Sequence, residues 1–368
     1  MGIDQAAVTM LLQRAQREVD SGLLPSVQVA LGYQGELVAF ETYGDANNDS
    51  RYVVYSATKA FVAGAMWALI GDGLIDVSKR VAESIPEFAT NGKENITVEQ
   101  VMLHTSGFPS APLSPIDGDT SAGRTAAFAK WRLNWEPNTT FEYHPTAAHW
   151  VLAELIERTT GQDFRDVVEQ RVTSPAGLGR ALGNVAFPAS ELSAVGEPAT
   201  ADELEAVLGV RSIDVGEVTI DALLGFNNPA VQKVGIPGGG GVMRAADLAL
   251  YYQAILRNPD EMWRPDVIAD ATGNVRNTFG DRVTGLPANR TLGLVQAGSD
   301  GLSNLRGMGR TVSAGTFGHN GAAGQIAWGD PATGLSLGYC TNGLDQHYIR
   351  EHRRTTAIAS LAGVCATA

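Results

Sequence analysis

Between Ala60 and Ile70 the chain carries no charged and no hydroxyl-bearing side chain. A helix that is apolar all round has to be enclosed on every side. This segment therefore fixes the centre of a core that the rest of the chain must build. It has about half of the ~20 residues that span a bilayer, and Gly71-Asp72-Gly73 stops it. It predicts an interior helix, and a chain of 368 residues is long enough to bury one.

Immediately ahead of that run stands Ser56-Ala57-Thr58-Lys59, the one S-x-x-K in the sequence. Three residues on a helix is nearly one turn, which brings the lysine amine back beside the serine hydroxyl. Serine is a poor nucleophile until a neighbouring base takes its proton. A lysine at the edge of a buried helix has its charged form disfavoured and can be that base. The helix N-terminus also offers the Ser56 N–H to a developing oxyanion. The plain alternative is an N-cap serine followed by a lysine that snorkels to solvent.

The rest of the pattern frames this helix. Residues 5–20 have helical spacing, and Ser26–Gly32 with Glu36–Tyr43 read as a hairpin around Tyr33-Gln34-Gly35. Residues 74–240 are mostly helical, most clearly Val98–Leu103 and Ala147–Thr160. Residues 109–123, rich in Pro, Ser, Gly and Asp, predict a long surface loop beside a cleft. Residues 186–236 show no usable pattern, and Gly238–Gly241 leads into a helix around Ala245–Leu256. Thr291–Ala297, Gln325–Gly329 and Leu335–Thr341 read as strands, and Leu344–Leu361 as a last helix. Strands at both ends with helices between predict a two-lobed α/β (α+β) body. Its sheet domain is expected over 1–68 and 240–368, with a helical insertion over 69–239, and ligands favour the cleft between such lobes.

Two further groups carry candidate chemistry. Tyr143 precedes the helix that starts near Pro145 and could relay protons, or simply be a buried aromatic bonded to backbone. Gly318-His319-Asn320-Gly321-Ala322 could supply an oxyanion donor beside a glycine, or be a polar strand start that needs glycine. No G-x-S-x-G elbow occurs, and Gly238–Gly241 continues Val-Met-Arg, which does not support a phosphate loop. His144 and His149 lack an H-E-x-x-H context, so no metal site and no cofactor are expected. His104 reads as the anchor of a turn.

A net charge of −13 without a lysine- or arginine-rich run sets aside nucleic acid and anionic membranes as partners. The partner expected is a small-molecule ester or amide. The two cysteines, Cys340 and Cys365, are expected to be reduced. The N-terminus has no basic segment followed by an apolar one, so a cytoplasmic protein is expected.

The order of these pieces resembles the serine β-lactamase-like, penicillin-binding-protein-like superfamily: class C β-lactamases, D-alanyl-D-alanine carboxypeptidases and family VIII carboxylesterases. Ser56–Lys59 matches its S-x-x-K. Ile96-Thr-Val-Glu-Gln-Val-Met-Leu-His-Thr-Ser-Gly107 is similar to its I-T-x-x-x-L-L-x-H-T-S-G segment. Phe141-Glu-Tyr143 falls at the family tyrosine, and His319-Asn-Gly321 where the family has K-T-G or H-x-G. The resemblance implies an antiparallel sheet flanked by helices. It also implies nucleophile Ser56, base Lys59, proton relay Tyr143, and oxyanion donors on Ser56 and Ala322, with His319 and Gly321 beside the substrate.

Two positions depart from the family pattern. Its Y-x-N is Tyr143-His144-Pro145 here, and the K-T-G lysine is His319. Both disfavour β-lactams and favour less charged esters. The expected activity is thus a carboxylesterase acting through an acyl-Ser56 intermediate. The alternatives are amide, β-lactam or peptide hydrolysis or acyl transfer by the same serine, and a non-catalytic binding protein that keeps the fold.

Overall fold

A computed structural model describes residues 2–184 and 186–367. Its strands are β1 (Ser26–Tyr33), β2 (Glu36–Gly44), β3 (Tyr52–Val53), β4 (Ser193–Val195), β5 (Val242–Met243), β6 (Val295–Gln296), β7 (Phe317–Gly318), β8 (Ile326–Gly329), β9 (Leu335–Thr341) and β10 (Gly343–Asp345). Six of them form one antiparallel sheet in the order β2-β1-β9-β8-β7-β6. The sheet is thus assembled from both ends of the chain, as expected. Its first hairpin closes over Gln34 and Gly35, with φ of 54° and 91°. Two successive positive-φ residues give the turn twist that matches paired strands.

The helices Gln5–Asp20 and Tyr348–Gly363 cover one face of the sheet and share a hydrophobic cluster with β1, β8 and β9. The helix Ala245–Arg257 covers the other face. Glycine in the middle of β9 permits that approach, since a Cβ on Gly338 would lie 2.0 Å from the Ala245 carbonyl oxygen. The helix Thr58–Gly71 is buried on every side through Leu69. Tyr251 OH, Trp263 Nε1 and Leu292 O reach it by hydrogen bonds to or from Ala60, Gly64 and Trp67.

Four expectations change. Residues 109–123 are not one loop, because Ser114 and Thr120 cap two helices, Pro115–Gly118 and Ser121–Phe128. Within 186–236 lie β4 and the helices Ala201–Leu208, Ile220–Leu224 and Pro229–Val234. The strand expected over Thr291–Ala297 shrinks to β6. Gly293, at φ 100°, folds a tight turn in which Thr291 N–H donates to Leu294 O. The last helix starts at Tyr348, because Gly343–Asp345 is taken into a parallel pair with β4. Both cysteines are free and buried, and no helix among the described residues is long and apolar enough to cross a membrane.

Candidate active site

Ser56 lies in a single 3-10 turn, Tyr55–Ala57, that runs straight into the helix Thr58–Gly71. Tyr55 holds a φ of 43°, a conformation a bulky residue adopts only when its surroundings impose it. Those surroundings are visible. Val54 N–H donates to Gly241 O, Gly241 N–H donates to Thr58 Oγ1, and Thr58 Oγ1 donates to Tyr55 O. The glycine run 238–241 thus grips the Ser56 turn from behind and leaves Ser56 partly exposed.

Lys59 is completely buried one turn further on. Its Nζ stands 3.2 Å from Ser56 Oγ, 2.6 Å from Pro145 O and 2.5 Å from Gly238 O. Burial, reinforced by the positive charge of Arg290 and opposed by Glu217, holds its pKa well below the ordinary lysine value. The snorkelling alternative is excluded by that burial. Gly238 has to be glycine or nearly so, since a Cβ there would meet Pro145 O at 2.8 Å and Lys59 Nζ at 3.3 Å.

Tyr143 OH donates to Ser56 Oγ at 2.8 Å, and burial pushes its pKa up to about 12, so it is a neutral phenol at pH 7. The tyrosine is supported from beneath by the segment that ends in His104-Thr-Ser-Gly107. His104 Nδ1 accepts from His144 N–H at 3.2 Å. His144 Nε2 accepts from Phe108 N–H at 3.1 Å, which leaves the proton on Nδ1 to donate to Glu142 O at 2.7 Å. Burial drives His144 down to about 3. His104 and His144 are neutral structural pieces, and among the described residues no His/Cys/Asp/Glu group could hold a metal ion.

His319 is 5% exposed, and burial together with Arg290 and Lys59 pushes its pKa well below the usual imidazole range. Its ring lies 5.9 Å from that of Tyr143, its backbone N–H donates to Tyr252 OH, and its Nε2 has no partner among the described residues. Gly321 N–H is occupied by Gln325 O at 3.0 Å, so it offers nothing to a substrate. The glycine itself is required, because a Cβ would lie 2.1 Å from Val54 O. That close approach sets Ala322 beside the Ser56 turn, and Ala322 packs in one cluster with Tyr55. Ala322 opens a 3-10 turn, whose first N–H has no partner within the turn.

Every site residue named from the sequence is thus part of one assembly. Several others went unread. Arg290 lies over the Tyr143 and Phe141 rings, 5.1 and 5.2 Å from their centres. Glu217 accepts from Thr146 Oγ1 at 3.0 Å at the mouth. His149, weighed above only as a metal ligand, is buried with neither ring nitrogen partnered among the described residues. A cavity of about 510 Å³ opens beside Tyr143 and Pro145, and Glu142, Asp214, Glu217 and Asp281 are in its wall. A larger one, of about 690 Å³, runs between residues 110–117 and 123–134; none of Ser56, Lys59 or Tyr143 lines it.

The model of the family described as Beta-lactamase matches residues 11–360. LipL of Mycobacterium tuberculosis, named an esterase/beta-lactamase, is 28% identical over 318 residues, covering 80% of this chain and 70% of that protein. A family VIII carboxylesterase of known structure superposes with a TM-score of 0.76 at 21% identity, over 98% of this chain and 99% of that one. A penicillin-binding protein homologue from Caulobacter crescentus gives the same TM-score of 0.76, identity of 21% and coverage of 98% and 99%. These two structural likenesses establish the fold.

Proposed function

The chain belongs to the beta-lactamase family, and from that premise we propose that it is a serine hydrolase working through an acyl-Ser56 intermediate, with small carboxylic esters as substrates. The observation that carries the reading is the pair of carbonyl oxygens on Lys59 Nζ. They take the two N–H groups of a neutral amine and leave its lone pair to the Ser56 hydroxyl.

In the proposed reaction Lys59 takes the Ser56 proton as Oγ attacks the ester carbonyl. The tetrahedral oxyanion is held by the N–H groups of Ser56 and Ala322. Tyr143, or the protonated Lys59, gives a proton to the leaving alcohol. Water then attacks the acyl-enzyme carbonyl and gives a proton to the same pair, which returns it to Ser56 Oγ as the Oγ–acyl bond breaks and the acid leaves. No step calls for a cofactor.

Esters are favoured over β-lactams by charge. His319 is neutral where a lysine would attract a carboxylate, and the cavity wall carries four carboxylates that repel one. The name of LipL joins the two activities, which keeps an amide or β-lactam substrate as the second reading.

The test is hydrolysis of p-nitrophenyl butyrate by wild type, Ser56→Ala and Lys59→Ala, with nitrocefin in parallel. Ester turnover lost in both variants, with little nitrocefin cleavage, supports the proposal. Full activity in Ser56→Ala refutes it. Dominant nitrocefin cleavage moves the substrate class to β-lactams. Failure of a serine-reactive phosphonate to label the wild type would favour a binding protein.

A further inference from the structure

Two arginines are buried in this protein in opposite ways. Arg124 is fully buried and satisfied: its guanidinium meets Glu154, Glu157 and Gly118 O. Arg290 is 6% exposed, and its Nε and Nη1 meet no acceptor among the described residues. The acid its charge feels is Asp281, but Oδ1 of that carboxylate is taken by its own loop, accepting from Val283 N–H and Thr284 N–H at 2.9 and 2.8 Å. What Arg290 does touch is aromatic, the faces of Tyr143 and Phe141. Cation–π contact offsets only part of the penalty for burying an unpaired charge.

A protein carries such a penalty where the missing anion appears only during the reaction. Tyr143 OH is 2.8 Å from Ser56 Oγ, so the guanidinium stands behind the ring whose hydroxyl faces the reacting oxygen. We propose that Arg290 is a positioning residue of the hydrolytic centre, whose guanidinium clamps the Tyr143 ring and supplies positive potential for the negative charge that develops on the substrate oxyanion and on the tyrosine oxygen. This rests on the serine-hydrolase reading of the site. The resting enzyme holds the cation unpaired, and the transition state pairs it.

The same geometry sets a pH signature. Lys59 faces Ser56, two carbonyls and the Tyr143 ring at short range. Beyond them Arg290 disfavours its protonated form and Glu217 favours it. His104, His149 and His319, which surround the same space, are all held neutral by burial. Removing Arg290 leaves Glu217 unopposed, so Lys59 keeps its proton to higher pH and the acid limb of the rate profile moves up.

The experiment follows the rate of Ser56 labelling by a fluorophosphonate from about pH 5 to about pH 9, with thermal melts and p-nitrophenyl butyrate turnover. The proteins are wild type, R290M and R290K, with S56A as control. R290M is expected to melt at or above the wild-type temperature, because an unpaired buried charge has been replaced by an apolar side chain. It is also expected to react at least ~10-fold more slowly, with kcat falling more than KM rises and the acid limb shifted up by roughly half a unit or more. R290K, which keeps the charge, should keep the wild-type limb and an intermediate rate. A structural arginine would give the reverse, a lowered melting temperature with an unmoved limb, and that result overturns the proposal. Labelling that is absent from wild type, or persists in S56A, defeats the hydrolase reading itself. Ser56-dependent labelling that R290M leaves unchanged defeats only the role of Arg290.

Discussion

Lys59 Nζ approaches Ser56 Oγ to 3.2 Å while Tyr143 OH donates to the same oxygen at 2.8 Å. If both donated, the serine proton would have no acceptor within the assembly. If the amine is neutral, its lone pair accepts that proton and its two N–H groups satisfy Pro145 O and Gly238 O. Burial of Lys59 favours that neutral state, holding its pKa well below the ordinary lysine value.

Lys59→Met should remove activity and yet stabilise the fold at neutral pH. The folded pKa of Lys59 lies well below its unfolded value of 10.5. Between the two, the unfolded chain binds the extra proton, so wild-type stability rises with pH through that window. The methionine variant lacks this linkage. Urea melts at several pH values should show it more stable than wild type near pH 7, with the gap closing toward pH 10. A parallel offset would mean that Lys59 is charged in the folded protein.

Tyr143→Phe removes the donor to Ser56 and keeps the ring under Arg290. One proton-relay group contributes about 10²–10⁴-fold, so kcat should fall by roughly that factor. The melting temperature should barely change, since the lost hydrogen bond is worth about 1 kcal/mol. Steady-state kinetics beside a thermal melt decide it. A variant with wild-type kcat would remove Tyr143 from the mechanism.

How much of this was legible depended on whether function left a local pattern. Ser56-x-x-Lys59 was legible because both residues sit on one helical turn at the head of an apolar helix. The hairpin of β1 and β2 was legible because strand alternation and Gly35 mark it. Arg290 carried no signal: it stands beside the tight turn that shortens the expected strand, and its importance lies in an absence of partners that only three dimensions reveal. Glu217 sits in 186–236, where the helices are short and the segment is tied down through β4 on β10 and Leu192 on Asn227 instead of by periodicity. Residues 109–123 read as one loop because Pro, Ser, Gly and Asp dominate them. Ser114 places Pro115 at a helix N-terminus, where it is favoured.

The ion pairs beneath this region make a stability prediction. Glu154 is buried and accepts from Arg124 Nε at 2.8 Å, Arg158 Nε at 2.7 Å and Ser121 Oγ at 2.7 Å. It ties the helix Ser121–Phe128 to the helix Ala147–Thr160. Glu154→Ala leaves Arg124 Nε unsatisfied, with only Glu157 and Gly118 O still on the guanidinium, and should cost about 1–3 kcal/mol. The double variant Glu154→Leu, Arg124→Met should recover most of it. Denaturant titrations of both would decide, and a single variant costing under ~1 kcal/mol would show the network to be idle.

His319→Lys tests whether this position reads substrate charge. The imidazole is neutral and its Nε2 is unpartnered, 5.9 Å ring to ring from Tyr143. A lysine there would place an ammonium at the substrate end of the cleft, close to Arg290, whose charge already acts on this residue. That repulsion and the desolvation of a new charge should lower stability by about 1–3 kcal/mol. In return kcat/KM for a carboxylate-bearing ester should rise relative to a neutral one by roughly 10-fold, and the gain should shrink with added salt. The ratio is read from the p-nitrophenyl esters of butyrate and of a dicarboxylic acid. An unchanged ratio, with the protein folded, would mean that the acidic wall of Glu142, Asp214, Glu217 and Asp281 sets charge preference and that position 319 does not.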